Sequence, residues 1–163
     1  MTEFAVFLEA LQELPLFQLI AESSWIFPAL ESIHVAALGL VVGSILFVDL
    51  RLLGLSWRHD NVAKVAAELL PITWIGFAVA VLSGVLMFGS SAVRYSGNPA
   101  FLAKLLFLGL AGLNMAIFHK FVFSTVFEWG SALPTPMGAR VAATFSIVFW
   151  LVILVCGRWI GFI

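Results

Sequence analysis

The chain has 163 residues, of which 63% are hydrophobic and only 10% are Asp, Glu, Lys or Arg, against roughly 45–50% apolar and about 25% charged residues in soluble domains. This composition excludes a water-soluble monomer. The single cysteine, Cys156, excludes a disulfide scaffold and a CxxC site, and a formal net charge of −1 gives no argument for nucleic acid as a partner. The chain is therefore interpreted as an integral membrane protein.

Residues 1–24 are predicted to form an amphipathic helix that lies in the membrane interface. The apolar residues that repeat at helical spacing are Phe4, Phe7, Leu8 and Leu11. Glu9 and Glu13 lie on other faces, and Pro15 interrupts the pattern. Because an acidic helix gains nothing from anionic headgroups, we expect it to dock onto the bundle or onto a second subunit.

Four later segments are long and apolar enough to span a bilayer, which requires about 20 residues. They are Pro28–Leu55, Leu69–Ser91, Pro99–Phe127 and Val141–Ile163. Short connections favour an up-down-up-down bundle, which places both chain ends on one side. Residues 25–163 are therefore predicted to form an all-α, four-helix integral membrane bundle.

The distribution of Lys and Arg near the span ends predicts the orientation. The side that carries the chain ends has Arg94, Lys104 and Arg158, whereas the other has Arg51, Arg58, Lys64, Lys120 and Arg140. Since cytoplasmic ends carry an excess of positive charge, we expect the chain ends outside. Trp150 lies within a span and is expected to pack inside the bundle.

Two predicted spans carry polar stripes that match in register. The separation of His34 from Asp49 equals that of Lys104 from His119, because both pairs are 15 residues apart. The first and third spans run in the same direction, so His34 is expected level with Lys104, and Asp49 level with His119. With a rise of about 1.5 Å per residue, the two histidines are about 20 Å apart in depth and cannot share one haem. A duplicated two-span hairpin would explain the register.

Ionisable side chains inside a membrane are functional hypotheses by default. Histidines on inward-facing stripes are typical haem ligands, so His34 and His119 are the candidate metal ligands. Other candidate ligands are Lys104, Met87 and His59, and the candidate partners for haem propionates are Arg94, Arg158 and Arg51.

Most of these residues also fit purely structural roles. A histidine near the interface can simply hydrogen-bond a neighbour, and Lys104 can extend towards the headgroups. Asp49 and Arg51 are interpreted as capping the end of the first span and pairing with Lys120 or Arg140. Small-residue pairs such as Gly39 and Gly43 favour close helix packing, either within the chain or between subunits.

Several stretches of the chain resemble an uncharacterised family of small bacterial inner-membrane proteins. They are 31–39, 49–54, 71–74, 98–104 and 118–119. More loosely, a histidine that opens the first span and an Ala-Lys-Leu that opens the third resemble the membrane-embedded protoporphyrinogen oxidases and the copper resistance protein D domains. The resemblance to the oxidases implies haem b, with His34 and Lys104 as important residues.

The sequence is consistent with three functions. The first is a b-type haem protein, with one or two haems, that transfers electrons across the membrane. The second is an oxidoreductase acting on a porphyrin or a quinone, and the third is a transporter without a cofactor, for example for copper, or an assembly subunit. The expected partners are the lipid bilayer, further copies of the chain, and an electron-transfer partner or quinone. A hydrolase or a nucleotide enzyme is not indicated, because the chain has no GxSxG, P-loop or HExxH motif.

Overall fold

The computed structural model describes residues 3–57, 59–131 and 134–163, and all of its regular structure there is helical. The α-helices are α1 (Glu3–Gln12), α2 (Pro15–Glu22), α3 (Ile26–Leu52), α4 (Val62–Ser90), α5 (Ala92–Ser96), α6 (Pro99–Phe121), α7 (Val126–Trp129) and α8 (Met137–Trp159), with a 3-10 turn over Phe123–Thr125. Four segments are long and apolar enough to cross a membrane, namely α3, α4, α8 and the stretch Pro99–Trp129 that begins with α6. The predicted all-α bundle is confirmed.

Hydrogen bonds between loops show that the spans alternate in direction. At one end, Asn61 Nδ2 of the α3–α4 loop donates to Ser131 Oγ, which lies before α8, at 2.7 Å. At the other end, Asn98 Nδ2 of the α5–α6 loop donates to the carbonyl of Ile163 at 2.8 Å, and α1 packs against α5. Both chain ends therefore lie on the side of the second loop, as predicted.

The bundle consists of two closely packed helix pairs. α3 packs along α4 and α6 packs along α8, while a contact between α3 and α8 joins the pairs. Within the described ranges, α4 and α6 are not among the helix pairs whose backbones pack closely, so these two helices are farther apart than the packed pairs. The central core contains Val41, Ala111, Trp150 and Ile153, which confirms that Trp150 packs inside.

The amino-terminal segment, predicted as an amphipathic helix over 1–24 with an interruption at Pro15, forms two helices in its described part, which begins at residue 3. α1 and α2 meet at an angle of 68°, and Pro15 begins α2. Proline has no N–H to donate to the preceding turn and its ring clashes with that turn, so the first helix ends before it. Phe7 and Leu19 remain mostly exposed, as expected for helices that contact lipid, while α2 packs on α4.

The helix boundaries differ from the hydropathy boundaries for a physical reason. α4 begins at Val62 rather than Leu69, because the Asn61 side chain accepts hydrogen bonds from the backbone N–H groups of Ala63 and Lys64. α6 ends at Phe121 rather than Phe127, and α8 covers Met137–Trp159 rather than Val141–Ile163. Hydropathy locates the part of a helix that can face lipid, whereas capping side chains locate its first turn.

Close approach of α3 and α4 involves Gly76, in addition to Gly84 beside His34. A Cβ added at Gly76 would lie 3.1 Å from Val41 Cγ2 and 3.2 Å from the carbonyl oxygen of Ala37. By contrast, a Cβ at Gly39 or Gly43 would meet no described atom within 4 Å. The Gly39–Gly43 face is therefore directed away from the described part of the bundle.

Candidate functional site

A polar cluster joins three helices in the half of the bundle that carries the chain ends. His34 Nδ1 of α3 lies 3.0 Å from Ser83 Oγ of α4, and His34 Nε2 lies 3.4 Å from Lys104 Nζ of α6. His34 and Lys104 are both partly buried. The predicted level match of His34 with Lys104 is confirmed by this contact.

The direction of each hydrogen bond in this cluster follows from the number of protons available. Ser83 Oγ donates its single proton to the backbone carbonyl of Val79 at 2.7 Å. It can then only accept from the imidazole, so His34 Nδ1–H donates to Ser83. His34 Nε2 is consequently an acceptor, and Lys104 donates to it. The resulting chain of donors runs from Lys104 through His34 and Ser83 to the α4 backbone.

This arrangement disfavours His34 as an axial iron ligand. Both ring nitrogens are used, and a metal at Nε2 would have to displace Lys104. The ring edge is also close to α4, since a Cβ added at Gly84 would lie 3.2 Å from His34 Cε1. His34 therefore has the surroundings of a positioning residue for Lys104.

The other half of the bundle contains an apolar cavity that is walled by all four spans. The cavity has a volume of about 220 Å³, and its polar lining residues are Asp49, Thr73, Asn114, Ser146 and His119. Several lining residues, including Trp74 of α4 and Met115 of α6, are also exposed on the outside of the bundle. The cavity therefore opens between α4 and α6, towards the acyl chains of the bilayer.

His119 lies at this opening with one ring nitrogen unused among the described residues. Its Nδ1 is 3.1 Å from the backbone carbonyl of Met115. Since a carbonyl can only accept, Nδ1 carries a proton, and Nε2 is the ring nitrogen without a described partner. Metal-bound histidines characteristically donate their second ring N–H to a carbonyl in this way, and the same geometry suits a hydrogen-bond acceptor for a ligand hydroxyl.

Asp49 brings a carboxyl group to the cavity from α3. Its side chain is only 6% exposed, and Oδ2 has no hydrogen-bond partner within residues 3–57, 59–131 and 134–163. A buried carboxyl oxygen without a partner is costly, so a ligand that donates a hydrogen bond would remove that cost. Asp49 and His119 line the same cavity, as their predicted level match requires.

Arg51 is a structural residue, and the predicted capping pair of Asp49 and Arg51 is wrong. The Arg51 side chain is fully buried. Its Nε donates to the carbonyl of Asp60 at 2.6 Å and its Nη2 donates to the carbonyl of Gly130 at 3.2 Å. Arg51 thus ties the first loop to the third, because these two loops lie on the same side of the bundle.

The remaining predicted site residues lie neither in the polar cluster around His34 nor in the cavity lining. Met87 is half-buried on α4, one turn beyond Ser83, and His59 is exposed in the first loop. Arg94 and Arg158 are exposed, and the Arg158 guanidinium lies 4.9 Å from the centre of the Phe162 ring. No group of three or more His, Cys, Asp or Glu side chains that could hold a metal ion occurs in the described part of the chain.

The cavity residues on α4 and α8 were missed by sequence reasoning. Thr73 and Ser146 were not singled out because single hydroxyl residues are common in spans, where they bond to their own backbone. Thr73 does so, and it also contacts Ser44 Oγ of α3 at 2.7 Å. The available signal is their location within apolar spans.

Comparison with known proteins finds no match among curated proteins and none among solved structures. The looser resemblance to protoporphyrinogen oxidases and copper resistance protein D domains is therefore unsupported. The predicted membership of an uncharacterised family is confirmed, since a family model covers residues 24–163, which begin after α1 and α2. The chain belongs to this family, DUF6644, a family of unknown function.

Proposed function

We propose that the protein is a membrane redox protein that binds the ring of a quinol in the central cavity and takes part in electron transfer. The observation that carries this proposal is a ring-sized apolar cavity, open towards the bilayer, with the Asp49 carboxyl and His119 Nε2 in its lining. Ligand sites are typically apolar clefts with a few placed polar groups. A volume near 150 Å³ holds benzene, so 220 Å³ is suited to a single substituted ring.

The opening between α4 and α6 accounts for the lipophilic part of the ligand. A quinol carries a polar ring on an isoprenoid tail, and the tail can remain among the acyl chains while the ring enters the cavity. The two ring hydroxyls can donate to the Asp49 carboxyl and to His119 Nε2, which the described residues leave unsatisfied. Oxidation of a quinol releases two electrons and two protons, and these two acceptors can each take one proton. The two electrons would pass one at a time to a haem protein of the membrane, which is the oxidant that this step requires.

Binding of a quinone can be measured by tryptophan fluorescence, because Trp74 and Trp150 line the cavity. We expect decylubiquinol, a short-tailed probe, to quench the fluorescence of the detergent-extracted protein saturably. Loss of one hydrogen bond costs about 0.5–1.5 kcal/mol, so Asp49→Leu and His119→Leu should each weaken binding about two- to twelvefold.

The matched control is His59→Leu, which changes an exposed histidine on the same side of the bundle and should leave the affinity unchanged. Equal quenching of the wild type and both cavity variants would mean that the quinol acts from the surrounding lipid, and the proposal would be wrong.

A second candidate is the binding of haem b, as the sequence predicts, and the hydrogen bond of His119 to Met115 favours it. The donor set fits one haem held by His119, whereas the sequence predicts a haem at His34 and allows a second at His119. Because the enclosed volume is about 220 Å³, a haem fits only with part of its ring in the opening between α4 and α6. Haem would supply a one-electron couple, while His119 would hold the iron and the apolar walls would exclude water.

The absorption spectrum separates the two candidates. If haem is bound, protein expressed with ample haem shows a Soret band that shifts on reduction with dithionite. We expect His119→Ala to remove this band and His34→Ala to keep it, because His34 Nε2 is already engaged by Lys104. A colourless wild-type preparation, or a band that survives in His119→Ala, would contradict haem binding at His119.

We also propose the membrane, the orientation and the self-association that the sequence predicts. The excess of Lys and Arg on the side of the first and third loops favours chain ends on the periplasmic side of a bacterial inner membrane. The outward-directed Gly39 and Gly43 favour self-association of the chain, since small residues allow close helix contacts in lipid.

A further inference from the structure

The polar cluster of Lys104, His34 and Ser83 has no part in the proposed quinol site. Its donor chain leaves His34 neutral, with Nε2 accepting from Lys104. An ammonium has three N–H donors, so two remain for other partners. In the ranges that the structure describes, Lys104 forms no ion pair, and its neighbour on α8 is the Cys156 thiol, which is a weak acceptor.

The Lys104 ammonium lies beside a glycine of α8 and near the headgroup level. A Cβ added at Gly157 of α8 would lie 3.7 Å from Lys104 Nζ, so this position presents no side chain to it. Lys104 is only partly buried. It lies five residues after the start of α6 at Pro99, which is a depth of about 7.5 Å along the helix. The ammonium is therefore within reach of the headgroup region on the side of the chain ends.

We propose that Lys104, oriented by His34 and Ser83, binds an oxyanion, the phosphate or carboxylate group of an anionic lipid or of a small solute. An unpaired ammonium below the headgroup level is costly, and an oxyanion would both neutralise it and accept its two free N–H groups. Charge-assisted hydrogen bonds of this kind are roughly twice as strong as neutral ones. His34 acts here as a positioning residue, because its neutral Nε2 holds the ammonium without adding a second positive charge.

The test uses the full chain in nanodiscs of phosphatidylcholine, with and without phosphatidylglycerol. Native mass spectrometry counts retained phosphatidylglycerol, and thermal unfolding gives the midpoint temperature. In the wild type, we expect phosphatidylglycerol to be retained and to raise the midpoint temperature. Lys104→Met should lower this retention about tenfold and remove the rise in midpoint temperature, whereas Lys104→Arg should keep both. Arg94→Gln is the matched control, because Arg94 is an exposed cation on the same side, and it should behave like the wild type.

A second arm separates the two sources of the oxyanion. Inorganic phosphate is compared with chloride at equal ionic strength in discs of phosphatidylcholine alone. A rise in midpoint with phosphate that needs Lys104 supports a site for a small solute, and selective retention of phosphatidylglycerol supports a lipid site. Equal behaviour of Lys104→Met and the wild type in both arms would overturn the proposal.

Two further variants keep the test decisive. If Lys104→Met does not fold, Lys104→Gln removes the charge, keeps a polar side chain, and carries the same expectation. His34→Gln retains the ammonium but loses the imidazole, so it should weaken anion binding less than Lys104→Met does. Quinol quenching tests Asp49 and His119 and should survive in Lys104→Met, so the two proposals can fail independently.

Discussion

The three histidines show that the role of a side chain depends on what its two ring nitrogens contact. His34 has both nitrogens engaged, by Ser83 and Lys104. His119 has one nitrogen engaged by its own helix and the other unused among described residues. His59 is exposed in a loop. As a result, only His119 combines a defined tautomer with a place in the cavity lining.

Arg51 is the residue whose loss should most affect stability. Arg51→Met removes hydrogen bonds to the carbonyls of Asp60 and Gly130. Hydrogen bonds from a charged donor contribute about 1.5–3 kcal/mol each. The methionine recovers part of this by packing, so we expect the free energy of unfolding to fall by about 2–4 kcal/mol. Unfolding in mixed detergent micelles with increasing dodecyl sulfate measures the change.

Arg140→Met provides the comparison for Arg51, because Arg140 is exposed near the same end of the bundle. It should change the free energy of unfolding by less than about 0.5 kcal/mol. Similar losses in the two variants would show that Arg51 does not tie the loops together.

At the scale of the elements, the spans are positioned by local features that hydropathy does not contain. Asn61 and Asn98 cap α4 and α6 with side-chain oxygens that accept from the second and third residues beyond them. The same asparagines donate to Ser131 and to the carbonyl of Ile163. Each asparagine therefore starts a span and attaches it to a neighbouring segment.

The attachment of α2 to the bundle depends on the absence of a side chain at Gly89. A Cβ at this position would overlap the Phe17 ring of α2. We expect Gly89→Ala to displace α2 and to destabilise the protein by about 1–3 kcal/mol, the usual cost of overpacking. Thermal unfolding in detergent measures the loss, and limited proteolysis at the α2–α3 junction reports the displacement.

Gly109→Ala is the matched control for Gly89→Ala, because an added Cβ at Gly109 meets no described atom within 4 Å. A double-mutant cycle gives the decisive comparison. In a Phe17→Ala background the ring is gone, so Gly89→Ala should cost much less. If its cost is the same in both backgrounds, the ring contact is not the cause.

At the scale of the whole molecule, the two polar groups lie in opposite halves of the bundle. His34 and Lys104 belong to the half with the chain ends, whereas Asp49 and His119 line the cavity in the other half. The open side between α4 and α6 gives the cavity a route to the bilayer. The proposed oxyanion site and the proposed quinol site are therefore separate in depth.

Much of this architecture follows from the sequence alone. Apolar runs of spanning length determine four membrane helices, because a backbone in lipid must satisfy its hydrogen bonds internally. Short loops determine the alternating direction, and the equal separation of His34 from Asp49 and of Lys104 from His119 places these residues in matching levels. These properties depend on distance along the chain and on helix geometry, which a sequence contains.

Only the tertiary structure decides which polar groups meet and which are left without a partner. The sequence does not show that Ser83 engages His34, that Arg51 reaches the Asp60 and Gly130 carbonyls, or that the Asp49 carboxyl faces a cavity. Each of these facts depends on the rotation and separation of helices that are distant in sequence. Those quantities are determined by packing of side chains from all four spans together, and periodicity within one span does not contain them.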